Sequence, residues 1–347
     1  MDAHITCIIS TYKRVDALKC TLQALQLQGH ENWTALVIGD CCGVETVDTI
    51  RDLGDPRIKY YNFPARYGEQ SGPNNFGFQL AEGDYLSFLN HDDIMLSDHL
   101  EYSLDCMRAQ HSDFHVGKST NATRLQYRTD GTVLPVFTET LPEYRDLFYL
   151  SLKDPWLFEP SSFYIIKKSY ANQIGAWRHS SELWRPPLRD WLMRAWRMGG
   201  RFSFGDKITG IRFWTQNARK VDKLYAVTTP EHEVMLKRCR NESPDDIRLS
   251  IERQISEESS EESGTKSLSL KQNIKAVARS MRVQHRKLIA ALYLKYGLDS
   301  HVIVSRLLFK PRGRFHAELI EKRTGESLSS IPDVERLLKN PEKYRVI

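Results

Sequence analysis

The sequence predicts an α/β fold, a mixed and mostly parallel sheet flanked by helices, with a helical appendage at the C-terminal end. Three observations predict it. Short apolar runs at Ile5–Ile9, Thr34–Ile38, Ile58–Phe63 and Tyr85–Leu89 alternate with stretches of helical periodicity, the pattern of strands joined by crossovers. The runs are apolar at nearly every position, as strands buried on both faces require. Polar clusters close three of them: Ser10-Thr11, Asp40 and Asp92-Asp93 all fall at carboxyl ends, the sheet edge where open α/β folds bind ligands.

Each element has its own signal. After the first strand and the loop Ser10–Arg14, Leu18, Leu22 and Leu25 recur at helical spacing until Gly29. The second strand closes on Gly39-Asp40-Cys41-Cys42-Gly43, and Val44–Leu53 reads as a short helix stopped by Gly54-Asp55-Pro56. A loop from Pro64 to Pro73 follows the third strand, and Asn74–Ala81 forms the next helix. The fourth strand empties into Asn90-His91-Asp92-Asp93, with Ser97 expected to cap a helix that carries Leu100, Leu104 and Met107. Asp113–Gly117 is a fifth strand, and Asn121–Pro142 holds loops or a hairpin around Asp130-Gly131. Phe163–Ile166 is a strand, Leu188–Met198 a helix ended by Gly199-Gly200, and Arg201–Phe204 and Ile208–Trp214 are closing strands.

Composition narrows the class. With 41% hydrophobic and 27% charged residues, the chain is an ordinary globular protein in its balance. No apolar run approaches the roughly 20 residues of a membrane span, and Met1-Asp2-Ala3-His4 leads straight into a strand, so the expected location is cytoplasmic. The six cysteines lack paired CxxC spacing, which argues for reduced thiols and against zinc. Neither GxGxxG nor GxxxxGK[ST] is present, so no dinucleotide fingerprint or P-loop explains the polar edge.

Two adjacent carboxylates at the end of a buried strand are costly unless a positive charge joins them. Asp92 and Asp93 thus read either as ligands of Mg²⁺ or Mn²⁺ shared with a phosphate or as a polar loop before a helix. Around them ITCIISTYKR, VIGDCC and YGEQSGPNNFGFQLAEGDYLSFLNHDD resemble the nucleotide-sugar domain of family 2 glycosyltransferases, across about residues 4–215. The first is similar to that family's opening strand with its S-x-Y-x-R loop, and the last to its G-x-x-x-A-R-N-x-G run into D-x-D-D. The resemblance implies the GT-A (Rossmann-like) fold. It places Thr11, Tyr12 and Arg14 at the nucleobase and Asp40 on base or ribose. It places Asp92 on ribose and metal, Asp93 on the metal that bridges the diphosphate, and Asn75 in the donor site. In the family's E-D pair only Asp190 matches, as the base for the acceptor; Arg189 stands at its partner's position.

The departures matter as much. Asn90 stands where the family has the first aspartate of D-x-D-D, and Pro73-Asn74 replaces Ala-Arg, leaving Arg66 as the candidate for a phosphate contact. Trp214 stands where many relatives complete the metal site with histidine. Trp177, Trp184, Trp191, Trp196 and Trp214 crowd residues 177–214, either as a sugar-stacking platform or as core.

Beyond residue 240 the composition changes. The expected organisation is a catalytic domain over 1–240, an acidic Ser/Glu-rich linker over 241–267, and a basic, largely helical region over 268–347. Lys271–Phe315 holds eleven Lys and Arg against one acid, Asp299. Leu270, Ile274, Val277 and Met281 give it an apolar helical face, so residues 270–315 read as an element for an anionic membrane surface or as one packed on the domain. No nucleic-acid motif accompanies the charge.

The expectation is then an inverting, metal-dependent glycosyltransferase. It would move a sugar from a nucleotide donor, with UDP the expected nucleotide and Mn²⁺ or Mg²⁺ the cofactor, to a glycan or lipid-linked acceptor in surface-polysaccharide or glycoconjugate synthesis. Its rivals are a non-catalytic nucleotide-sugar-binding or scaffold protein of the same fold, and a nucleotidyltransferase.

Overall fold

The computed structural model describes residues 3–127, 133–138, 161–183, 187–213, 230–263 and 333–347. Its strands are β1 (Ile5–Thr11), β2 (Trp33–Gly39), β3 (Ile58–Asn62), β4 (Tyr85–Phe88), β5 (Asp93–Met95), β6 (Phe114–Tyr127), β7 (Val133–Thr138), β8 (Tyr164–Lys167) and β9 (Phe202–Phe213). Its helices are α1 (Val15–Gln26), α2 (Val44–Leu53), α3 (Ser71–Leu80), α4 (His99–Ala109), α5 (Lys168–Ile174), α6 (Pro187–Arg197), α7 (Pro230–Asn241), α8 (Pro244–Ser263) and α9 (Val334–Leu338).

The expected mixed α/β sheet is present, in the order β3-β2-β1-β4-β8-β6-β9-β5, with β7 paired to β6. Its parallel character is concentrated in the first half, where β3, β2, β1 and β4 run parallel. The second half adds β8, β7 and β5 in antiparallel pairings, and only β6 and β9 lie parallel there. Each parallel strand alternates its side chains between two cores. Ile8, Leu36, Ile38, Leu86 and Phe88 face α3 and α6, and Ile5, Cys7, Ile9, Ala35 and Val37 face α1 and α4. Gly77 lets α3 lie close on β1, since a methyl group there would meet Ile8 Cγ2 at 2.5 Å.

Four features differ from the sequence reading. Asp93–Met95 is a strand, not the lead into a helix, because it pairs antiparallel with Arg212-Ile211-Gly210 at the sheet's end. The two closing strands are one, β9, whose Gly205–Lys207 is absorbed as an irregularity opposite Gly117, between the Val116–Phe204 and Lys118–Ile208 pairs. Over 244–263 the acidic stretch is a helix: Ser243 caps it by accepting from the Asp246 N–H at 3.2 Å, with Pro244 in its first turn. Ile247 and Ile251 of that helix are buried beside Ile208 and Ile211 of β9. Arg248 locks it further, donating to the Ile208 carbonyl at 2.8 Å and pairing with Asp98 and Asp245.

The fourth difference is at the other sheet edge. Leu337 of α9 is buried with α3, and the Val346 N–H donates to the Tyr60 carbonyl at 2.8 Å while the Tyr60 N–H donates to Ile347 at 3.0 Å. The chain's last residues therefore extend β3 by main-chain pairing, and residues 333–347 belong to the sheet domain. Asp130-Gly131, Trp184, Trp214 and the basic stretch 270–315 lie outside the described residues. Among the described residues, no helix is long and apolar enough to cross a membrane.

Candidate active site

Parallel strands carry their carboxyl ends to one edge, so the loops after β1, β2, β3 and β4 converge. They enclose a cleft of about 210 Å³ lined by Thr11, Tyr12, Asp40, Arg66, Glu69, His91 and Asp92, among others. Of the residues that the sequence pointed to, Thr11, Tyr12, Asp40, Arg66 and Asp92 thus line one cavity.

Asp40 is 6% exposed and organises the far wall. Its carboxylate accepts from the Tyr67 N–H at 2.5 Å and the Gly68 N–H at 2.9 Å, which holds the loop after β3 against the end of β2. Burial raises its pKa, against the lowering effect of those two amides. Gly68 has φ of 91°, a conformation that favours glycine, so the amide pair depends on it. Next to it Arg66 lies over the Tyr12 ring at 4.2 Å, which places a guanidinium in the cleft with an aromatic face beneath it.

The near wall is the Asn90–Asp93 turn. Arg14 forms an ion pair with Asp92, both side chains about one-fifth to one-quarter exposed. Burial works to raise the Asp92 carboxyl, but His91 and Arg14 beside it hold it below the usual carboxylate range. The His232 ring donates to the Asp92 carbonyl at 2.9 Å and stacks on Phe213 with centroids 3.7 Å apart, so α7 braces this turn from behind. The His91 Nδ1 lies 3.4 Å from the Tyr12 N–H, which donates to it, and 3.2 Å from the Thr11 hydroxyl. Burial pushes the His91 imidazole down to about 4, so it is neutral at neutral pH.

Two expected ligands are placed elsewhere. Asp93 is 2% exposed and is absent from the cleft lining. Its carboxylate accepts from Ser162 Oγ at 2.5 Å and Asn90 Nδ2 at 2.9 Å, and burial with Asp92 alongside raises its pKa to about 7. It sits under the turn as a bracket, with Asn90 in the first acidic position serving as its donor. Asn75 is likewise committed: its amide donates to the Trp177 carbonyl and accepts from the Trp177 N–H, both at 2.8 Å. It fixes the turn after α5 instead of reaching the cleft.

Asp190 of α6 does not line the cleft. Arg194 Nε donates to it at 2.9 Å, and Arg178 is 3.8 Å away. Arg178 belongs to a segment that borders the cleft, because the Ser180 N–H donates to Glu69 at 3.0 Å and His179 lies 3.8 Å from it. Trp177 and Trp191 are buried and stack at 5.5 Å, so these two are core, not platform.

Four residues at or behind the cleft escaped the sequence reading. Glu69, Ser162 and His232 each owe a defining partner to a contact more than 60 residues distant in sequence. His91 had a visible signal, a ring between the acidic positions of the motif.

What these walls define is an α/β domain with a polar cleft at the carboxyl edge of its parallel strands, where an aromatic ring and a guanidinium share the walls with carboxylates. Residues 6–175, just under half of the chain, match the family described as Glycosyl transferase family 2. Curated relatives include an uncharacterized glycosyltransferase of Rickettsia conorii, 29% identical over 33% of this chain and 20% of that protein. Another of Haemophilus influenzae is 30% identical over 24% of this chain and 34% of that protein. The UDP-Glc:alpha-D-GlcNAc-diphosphoundecaprenol beta-1,3-glucosyltransferase WfgD of Escherichia coli is 25% identical over 33% of this chain and 46% of its own length. The chain thus spans less than half the length of these relatives. Among solved structures, TarS 1-349 of S. aureus in complex with UDP-GlcNAc is 20% identical, with a TM-score of 0.49, over 67% of this chain and 64% of that one.

Proposed function

We propose that this protein is an inverting glycosyltransferase that takes a nucleotide sugar, with UDP as the nucleotide, and glycosylates a glycan acceptor carried on a lipid. The observation that carries the reading is the convergence of Thr11, Tyr12, Asp40, Arg66 and Asp92 on one cleft at the carboxyl edge of the parallel strands, within the stretch that matches the family. The UDP donor and the lipid-linked acceptor class follow the printed activity of WfgD.

In this reading the base stacks on Tyr12, as aromatic faces do with nucleobases, and Asp40 accepts from a base or ribose donor. Arg66 and Arg14 supply positive charge where the diphosphate leaves. The reaction is one displacement: the acceptor oxygen bonds to the anomeric carbon as the bond to the diphosphate breaks. The acceptor proton passes to a carboxylate, for which Asp190 is the proposed base.

A divalent cation fits this site through Asp92 alone. Among the described residues no three His, Cys, Asp or Glu are grouped as a metal centre, and Asp93 is committed to Ser162 and Asn90. Mg²⁺ and Mn²⁺, however, are commonly held by one or two carboxylates together with substrate phosphates and water. Such a cation would supply charge to the leaving diphosphate. The test is UDP release from UDP-sugars with a lipid-linked acceptor extract, in Mn²⁺ and in chelator. Turnover with one donor is expected, and faster in Mn²⁺. Tight UDP-sugar binding without any release would favour the non-catalytic binder.

A further inference from the structure

His91 stands between the acidic positions of the motif, and its ring lines the cleft beside Thr11, Tyr12 and Asp92. Two contacts fix the ring from one side. The Tyr12 N–H donates to Nδ1 at 3.4 Å, and the Thr11 hydroxyl is 3.2 Å from the same nitrogen. A backbone N–H cannot accept, so Nδ1 must be the acceptor and the ring proton resides on Nε2. Nε2 has no hydrogen-bond partner among the described residues, although the ring is part of the cleft wall. The arrangement is therefore a ring whose tautomer is set by the backbone of the β1 loop and whose remaining nitrogen is an uncommitted donor.

We propose that His91 is a donor-substrate recognition residue, presenting its Nε2–H to a diphosphate oxygen of the bound nucleotide. The diphosphate is the favoured acceptor because of what surrounds the ring. Asp92 is its neighbour in sequence, and Arg14 pairs with that carboxylate, so a guanidinium stands close to this wall. Asp40, the carboxylate proposed for base or ribose, is instead tied by the Tyr67 and Gly68 amides to the loop after β3, away from the turn that carries His91. A fixed donor also suits a leaving group: it stabilises charge that grows on the diphosphate without the reorganisation a mobile lysine would need. This inference rests on the nucleotide-sugar reading and deepens it.

Three substitutions separate recognition from support. His91→Asn keeps an acceptor within reach of the Tyr12 N–H but removes the far donor. His91→Gln carries an amide N–H out to about the position of Nε2. His91→Ala removes both. Calorimetric titration of UDP, UMP and uridine into wild type and the three variants, with melting temperatures as the folding control, reads the result. The expected loss of UDP affinity is about tenfold for His91→Asn and His91→Ala, the scale of one hydrogen bond to a charged group, with His91→Gln retaining most of it and uridine affinity unchanged throughout. Equal UDP affinity in wild type and His91→Asn would overturn the proposal. So would an equal loss for uridine, which would place the contact on base or ribose. A wild type that binds neither UDP nor uridine would instead refute the nucleotide-sugar reading itself.

Discussion

Two carboxylates near the cleft compete for the acceptor proton, and their surroundings differ. Glu69 lines the cavity, but its oxygens are engaged by the Ser71 hydroxyl and the Ser180 N–H, so it ties the loop after β3 to the segment before α6. Asp190 is held on one oxygen by Arg194, while Arg178, 56% exposed, stands off at 3.8 Å from the other. A loosely paired oxygen is easier to hand to a substrate hydroxyl than one in a backbone clamp. Such a base is typically worth roughly 10² to 10⁴ in rate. Asp190→Asn should therefore lower kcat by about that factor and leave UDP-sugar affinity nearly unchanged, whereas Glu69→Gln should act mainly on KM. Steady-state kinetics on both variants decide it; the reverse pattern would move the base to Glu69.

At the level of elements, the site depends on how the loop after β3 is held, and β3 is the edge strand. Its outer side is covered by the chain's last residues, anchored through Leu337, which is 5% exposed against α3. Leu337→Ala removes that anchor, and a buried leucine truncated in this way costs about 2–5 kcal/mol. Urea unfolding should show a lower midpoint with the slope unchanged; a midpoint equal to wild type would mean that α9 is peripheral. No sequence pattern announces this docking, since Leu337 has no periodic partners and Tyr60 lies far away in the chain. The four parallel strands were legible because burial on both faces writes itself as continuous apolar runs, and their carboxyl ends named Thr11, Asp40 and Asp92 at once, with Tyr12 added by the family resemblance. β5 was illegible for the opposite reason: three residues pair with a partner more than 110 positions later. The helix over 244–263 did carry a signal, Ser243-Pro244-Asp245-Asp246 followed by Ile247 and Ile251, but its Glu/Ser-rich second half outweighed it. Asp93 and Asn75 had the right motif positions, and only their partners Ser162 and Trp177 show that they brace the site.

Across the whole molecule, buried imidazoles couple the sheet's stability to pH. His99 at the start of α4 accepts or donates at Nδ1 to the Thr209 hydroxyl, 2.8 Å away, and His115 of β6 does so with the Ser203 hydroxyl at 2.9 Å. Both rings are fully buried, and burial lowers their pKa values to about 3 and about 4. The unfolded chain protonates them near the ordinary histidine value, so between roughly pH 6.5 and 4 it binds more protons at these sites than the folded protein does. Stability contributed by the neutral rings is present above that window and lost as pH falls through it, by up to about 1.4 kcal/mol per pH unit for each ring. Asp93, with its pKa raised to about 7, acts in the opposite sense, because the folded state takes up its proton first as pH falls. Wild-type melting alone would therefore blur the two effects, and the useful quantity is the difference between wild type and a variant that lacks one ring. His115→Gln keeps a polar group near Ser203 but cannot titrate. It should be less stable than wild type at pH 7.5, and that deficit should shrink steadily in denaturant melts taken down to pH 5. A deficit that stays constant over this range would mean that His115 is protonated in the folded protein as readily as in the unfolded chain.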